Sequence, residues 1–112
     1  MDDNKLAIEV CDLGIGNQGL PISDNAYYFG NRRLTAEEFV RNWPVAGALM
    51  GKVKEREWLI QTMHDGYVYI FTEGGEHVSD STEWPRAIIE ASVKALTTGN
   101  TTPESRDGDR QT

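Results

Sequence analysis

Residues 57–71 have the sequence Glu57-Trp-Leu-Ile-Gln-Thr-Met-His-Asp-Gly-Tyr-Val-Tyr-Ile-Phe71. Two runs of aromatic and β-branched residues, 57–63 and 67–71, flank an Asp-Gly pair, which is a strong signal for an antiparallel hairpin. Alternate positions are apolar on both faces of each run, so the sheet needs helices from the flanking sequence as cover on each side. A third, shorter edge strand is predicted near 76–79, after the Gly74-Gly75 turn.

A helix is predicted before the hairpin. Thr35-Ala-Glu-Glu38 has the capping-box form in which the threonine and the glutamate satisfy each other's free backbone N–H groups. Pro44 lacks an N–H, so either it kinks one long helix or a second helix begins at 42–44. The apolar stripe that follows the capping box at helical spacing is Phe39, Trp43, Ala46, Met50 and Val53.

A second helix is predicted after the hairpin, over about 83–96. Residues 80–82 supply capping side chains, and Pro85 falls in the first turn, where its missing N–H costs little. The apolar stripe of this helix is Trp84, Ile88, Ala91 and Ala95. Since Trp43, Trp58 and Trp84 each fall on an apolar face, all three are predicted to lie in the core.

The two ends of the chain carry weaker patterns. Residues 4–13 fit a helical face, although 7–10 also fit a strand, and we favour the helix. Residues 14–34 are rich in Gly and Asn and are predicted to form a long loop. Residues 98–112 hold no large apolar residue and are predicted to be a disordered tail. We therefore expect one α+β domain over 1–97, with its helix-hairpin-helix core in 34–97.

Length and composition limit the function. A chain of 112 residues with 38% hydrophobic residues has enough apolar surface for one core and no second domain. A single cysteine excludes an intramolecular disulfide, and the acidic N-terminus and lack of a long apolar run predict a soluble cytoplasmic protein. The net charge of −7 disfavours direct binding to nucleic acid or to a membrane.

No residue pattern predicts catalysis, a cofactor or a metal. Residues 14–19 match GxGxxG, but 20–23 cannot continue the helix that this motif requires, so we interpret the segment as a loop. Cys11 stands beside Glu9 and Asp12, which disfavour a reactive thiolate. His64 and His77 lack a metal-ligand spacing and fit solvated turn and edge positions.

Two sets of residues are candidates for contact with a partner protein. Tyr27 and Tyr28 lie near Arg32, and aromatic residues with arginines are enriched at interfaces, although these aromatic side chains also fit a loop packed on the core. The second set is an acidic run that could meet a basic surface or form an ordinary solvated edge. It consists of Glu73, Glu76, Asp80 and Glu83.

The segments 39–50, 58–60 and 81–91 resemble a known family. Phe39-Val-Arg-Asn-Trp-Pro-Val-Ala-Gly-Ala-Leu-Met50, Trp58-Leu-Ile60 and Ser81-Thr-Glu-Trp-Pro-Arg-Ala-Ile-Ile-Glu-Ala91 look like the phage ABA sandwich domain of small phage-encoded proteins. The resemblance covers 34–97. It implies a phage accessory protein with helices on both faces of a two- to three-stranded antiparallel sheet, and it brings no catalytic motif.

Together these observations favour a protein without enzymatic activity that binds a host protein complex and blocks it sterically. A nucleic-acid-handling defence machine such as a CRISPR-Cas effector is the expected target class. The alternative is a structural or regulatory protein that forms a homodimer through its sheet edge or its aromatic loop. A small hydrolase or nucleotide-binding enzyme is disfavoured, because no set of residues has the required spacing.

Overall fold

A computed structural model describes residues 2–19 and 26–99, which form an α+β fold of helices and two three-stranded antiparallel sheets. The helices are α1 (Asp3–Asp12), α2 (Ala36–Phe39), α3 (Trp43–Glu55) and α4 (Arg86–Gly99). The strands are β1 (Asn17–Gln18), β2 (Ala26–Phe29), β3 (Arg32–Thr35), β4 (Leu59–Thr62), β5 (Val68–Thr72) and β6 (Gly75–Val78). The predicted α+β class is confirmed.

Side-chain caps fix where the helices begin. The predicted capping box is present, with Thr35 Oγ accepting from the Glu38 N–H at 3.1 Å and the Glu38 carboxylate accepting from the Thr35 N–H at 2.9 Å. Of the two alternatives at Pro44, the structure shows two helices. Asn42 caps α3 by accepting from the Val45 N–H at 3.0 Å, and Pro44 lies in the first turn, where no N–H is needed.

The predicted hairpin is confirmed as β4 and β5, and the predicted third strand as β6. Strand order is β4-β5-β6, with Ile60 opposite Ile70 and Ile70 opposite His77. Val68 and Ile70 are fully buried, and α4 packs along β5 and β6. One core cluster joins this second sheet to all four helices, through Leu6, Phe39, Leu49 and Ile89 among others.

The prediction of a long loop over 14–34 is wrong for most of that segment. β1, β2 and β3 form a separate first sheet in this order, with Tyr27 opposite Leu34 and Tyr28 opposite Arg33. Gly16 directly precedes β1 and has a positive φ of +75°, which favours glycine. A Cβ at this position would lie 2.7 Å from the Tyr28 carbonyl oxygen. These strands hold only two to four residues each and are flanked by glycines. They are therefore too short to show a recognisable alternation of apolar and polar residues. Residues 20–25 of the predicted loop lie outside the described residues.

Three further predictions are corrected. Trp43 and Trp84 are 57% and 42% exposed, so they lie at the surface, and only Trp58 packs partly against the core. The buried face of α3 is Val45, Ala46, Leu49 and Val53, so Met50, which is 37% exposed, lies off it. Helix α4 runs to Gly99, and residues 100–112 of the predicted tail lie outside the described residues.

A network of ion pairs joins α1 to α4. Glu90 is 2% exposed, and its carboxylate accepts from Arg86 Nε at 2.8 Å and from the Ser81 N–H and hydroxyl at 3.0 Å each. Arg86 also pairs with Asp3, which in turn accepts from Arg41 Nη1 at 3.2 Å. The network therefore anchors the first turn of α1 on the C-terminal helix α4.

Across residues 2–19 and 26–99, no helix has the length and apolar character needed to cross a lipid bilayer.

Candidate functional site: an arginine–tryptophan groove

A surface groove lies along β3 and the junction between α2 and α3. We call it the arginine–tryptophan groove. It is lined by Arg32, Arg33, Leu34, Thr35, Glu37, Glu38, Arg41, Asn42, Trp43 and Pro44, and its volume is about 880 Å³. β3 is an edge strand of the first sheet, so one wall of the groove is an open strand edge.

Trp43 is the most exposed aromatic side chain of the described residues, at 57%. It is the first residue of α3, directly after the Asn42 cap, and this places it outside the buried face of the helix. Its indole N–H donates to no group within residues 2–19 and 26–99. A large exposed apolar ring with a free donor is typical of a contact residue, since tryptophan adds both area and a polar group.

Arg32 and Arg33, on β3, line the same groove as this ring, and both are exposed. Neither forms an ion pair within the described part of the chain. Arg41 differs, since Asp3 and Glu83 engage its guanidinium at 3.2 and 3.5 Å. Two acidic residues also line the groove: Glu38 is held in its capping box, and Glu37 is exposed and forms no ion pair within the described part of the chain. The groove therefore offers two unpaired guanidinium groups on a protein whose net charge is −7.

The structure separates the aromatic residues of the first predicted contact set. Tyr27 is 1% exposed, stacks on Phe39 with ring centroids 5.4 Å apart, and donates its hydroxyl to Asn4 at 3.1 Å. Burial also raises the pKa of Tyr27. The interpretation of Tyr27 as a contact residue is therefore corrected, because its ring packs on the core. Tyr28 points to the opposite face and is 37% exposed, opposite Arg33.

The acidic set is exposed, but it does not form one patch of unpaired carboxylates. Glu73 accepts from Trp58 Nε1 at 3.0 Å, Asp80 pairs with Lys94 at 2.5 Å, and Glu83 pairs with Arg41. The hydrogen bond from Lys94 lowers the pKa of Asp80. Glu73 and Asp80 lie beyond opposite ends of β6, with Glu76 on the strand between them. Glu73, Asp80 and Glu83 are therefore tied to the fold more closely than the groove arginines are.

The remaining polar candidates are spread over the surface. Burial and the charge of Asp12 raise the pKa of Cys11 to about 11, which suppresses its thiolate at neutral pH. His77 lies 3.4 Å from the Thr72 hydroxyl, and His64 is in the hairpin turn. Within residues 2–19 and 26–99, no three His, Cys, Asp or Glu side chains are grouped closely enough to hold a metal ion.

Sequence reasoning named Arg32 and missed Trp43 and Arg33 as parts of one site. Pro44 is the sequence feature that could have shown Trp43 to be exposed. It favours a helix that begins anew at residue 43, and the buried face of that helix contains Val45 and Leu49 but not Trp43. Arg33 could not be assigned to the site from the sequence, because its position depends on the pairing of β2 with β3, which the sequence did not predict. Comparison with models of known protein families, with curated proteins and with solved structures found no match.

Proposed function

We propose that this protein acts by binding another protein complex and blocking it sterically, with the arginine–tryptophan groove as its contact site. The observation that carries the proposal is the exposed ring of Trp43 in one groove with two unpaired arginines. Tryptophan and arginine are the residue types most enriched among those that dominate binding energy.

The chemistry of the groove indicates what it binds. Arg32 and Arg33 can each hold a carboxylate through two parallel hydrogen bonds, and the Trp43 ring offers a flat apolar surface in the same groove. A partner segment that carries an Asp or Glu next to an apolar side chain meets both requirements. The rest of the protein is acidic, so such a segment is attracted locally at the groove and repelled elsewhere, which orients the complex.

The target class follows from the resemblance to phage accessory proteins. Such a protein would meet host complexes in the bacterial cytoplasm, and a nucleic-acid-handling defence effector such as a CRISPR-Cas complex is the first target class to test. The net charge of −7 supports contact with the protein component of the effector over contact with its nucleic acid. Steric blocking requires no catalytic group on this chain.

The proposal is tested by affinity capture from bacterial lysate with groove variants as probes. Wild type, Trp43→Ala and the double variant Arg32→Glu/Arg33→Glu are compared by mass spectrometry. Ile8→Ala is the control, because Ile8 is an exposed apolar residue, at 38%, but lies on α1. We expect a host complex that wild type and the control retain and that both groove variants lose. Equal recovery by all four proteins contradicts the groove assignment.

A further inference from the structure

Strand β4 forms a free edge of the second sheet. The strand order is β4-β5-β6, and no strand in the described ranges pairs with the outer side of β4. Residues 58–63, Trp-Leu-Ile-Gln-Thr-Met, include no charged residue and no proline. Leu59 is 61% exposed and Met63 is 37% exposed. An uncharged apolar edge of this kind is a template for pairing with another strand.

The other sheet edges of the molecule are protected. β3 carries Arg32 and Arg33, and β6 carries Glu76. β1 is only two residues long. Charges and short length are the usual means by which proteins prevent edge-to-edge pairing. β4 differs from β3 and β6 because it carries no charged residue, and it is longer than β1, so it is better suited to pair with another strand.

The hydrogen-bond pattern shows which backbone groups face outward. The Met63 N–H donates to the Tyr67 carbonyl at 3.1 Å, so residues 63 and 67 form a hydrogen-bonded pair. Such pairs alternate along an antiparallel ladder, which assigns Leu59 and Gln61 to bonds with β5. The N–H and C=O groups of Ile60 and Thr62 therefore point to the free edge, where a further strand would bond to them.

A groove runs beside this edge, between β4 and helix α3. Its volume is about 560 Å³, and it is lined by Gly47, Met50, Gly51, Lys54, Trp58, Leu59 and Ile60. A Cβ added at Gly47 or Gly51 would meet nothing within 4 Å, so the helix leaves open space next to the strand. This space is open to side chains of a strand that pairs with β4.

We propose that the β4 edge binds the β4 edge of a second copy of this chain, which makes a continuous six-stranded sheet across a two-fold axis. In the register centred on Gln61, each Gln61 faces the other as a non-hydrogen-bonded pair, and Ile60 bonds with Thr62 of the second copy. Leu59 then lies opposite Met63 of the second copy, so the exposed apolar side chains of this edge cover one another. This self-complementarity is what a two-fold interface requires.

Charge does not favour this register. Continued beyond β4, it brings Glu57 toward Asp65 of the second copy, and like charges at facing positions repel. The net charge of −7 on each copy opposes association at long range. Dimerisation should therefore strengthen between low and moderate ionic strength, as salt screens the repulsion.

Sedimentation velocity of the full chain at a series of concentrations tests the dimer. We expect a concentration-dependent dimer for wild type, and a dissociation constant raised about a hundredfold or more by Leu59→Lys, which places a charge on the edge twice per dimer. Thr62→Pro removes an edge-facing N–H that β5 does not use, so it should weaken the dimer and spare the monomer fold. Trp43→Lys, an equally exposed site in the other groove, is the control that should leave the dimer intact.

A cysteine at position 61 tests the register. In a Cys11→Ser background, Gln61→Cys should form an intermolecular disulfide under mild oxidation, since non-hydrogen-bonded pairs bring Cα atoms to about 4.5 Å. Glu76→Cys, on the β6 edge, should not crosslink. A wild-type monomer at every concentration, a dimer that survives both Leu59→Lys and Thr62→Pro, or a dimer without the Gln61→Cys crosslink would each overturn the proposal. These outcomes are independent of the groove at Trp43, since none of the β4 substitutions changes it.

Discussion

The ion pair between Arg86 and Glu90 gives the sharpest prediction about stability. We predict that Arg86→Met strongly destabilises the fold, because it removes the positive charge from a carboxylate that is only 2% exposed. The methionine replaces the apolar stem of the arginine, so lost packing contributes little. Ser81 still donates two hydrogen bonds to Glu90 in the variant, but neither carries a charge.

The expected magnitude is about 3–5 kcal/mol, the cost of leaving one member of a buried pair without its partner. Small proteins are stable by about 5–15 kcal/mol in total, so the variant keeps a reduced margin and unfolds at lower urea concentration. The double variant Arg86→Met/Glu90→Gln removes the stranded charge and keeps an acceptor for Ser81. We expect it to recover about half of the loss or more, which a double-mutant cycle in urea measures.

Arg32→Met is the matched control, since the same substitution at an exposed arginine should change stability by less than about 0.5 kcal/mol. An Arg86→Met variant as stable as this control would refute the argument. So would a double variant as unstable as Arg86→Met alone, because the loss would then come from packing.

Further predictions concern Asp3, Cys11 and two glycines. Burial raises the pKa of Asp3, but the hydrogen bond from Arg41 and the charge of Arg86 outweigh it and hold the pKa below 3.8. Asp3→Asn should therefore lower the free energy of unfolding by about 1 kcal/mol at pH 7. That difference should vanish as the pH falls from 3.8 through the lower pKa of the folded protein, which urea titrations at several pH values would show. Cys11, with its pKa raised from 9.0 to about 11, should react with iodoacetamide at pH 8 about a hundredfold more slowly than an exposed thiol, and equal rates would contradict its burial. Gly47→Ala should raise the free energy of unfolding by about 0.5–1 kcal/mol, because Gly47 lies within a helix and an added Cβ would meet no other atom. Gly16→Ala should lower the free energy of unfolding, since its Cβ would meet the Tyr28 carbonyl oxygen.

The second sheet and the helices could be predicted because their signals are local. The Asp-Gly turn, the Thr35–Glu38 capping box and the apolar alternation of 67–71 each lie within a few residues of sequence. The first sheet could not be predicted in this way. Its strands hold two to four residues each, and two of the four residues of β3 are arginines, so neither length nor alternation identifies them.

The positions of the tryptophans show why the contact site was harder to predict than the fold. A helical stripe assigns Trp43 to the core only if the helix is continuous through Pro44, and the Asn42 cap breaks that continuity. Trp84 precedes α4 and donates to the Gly66 carbonyl at 2.7 Å, so a contact distant in sequence holds it at the surface. Exposure at these sites depends on tertiary structure, which periodicity alone does not encode.

The dissociation rate of the captured host complex tests the central claim most directly, namely that the arginine–tryptophan groove is the contact site. Wild type, Trp43→Ala and Ile8→Ala are immobilised in turn, and dissociation of the complex is followed by surface plasmon resonance. Aromatic anchors that become buried in a complex act mainly on dissociation, so Trp43→Ala should raise that rate by about tenfold or more, and Ile8→Ala should leave it within about twofold of wild type. Equal rates for Trp43→Ala and wild type would contradict the claim.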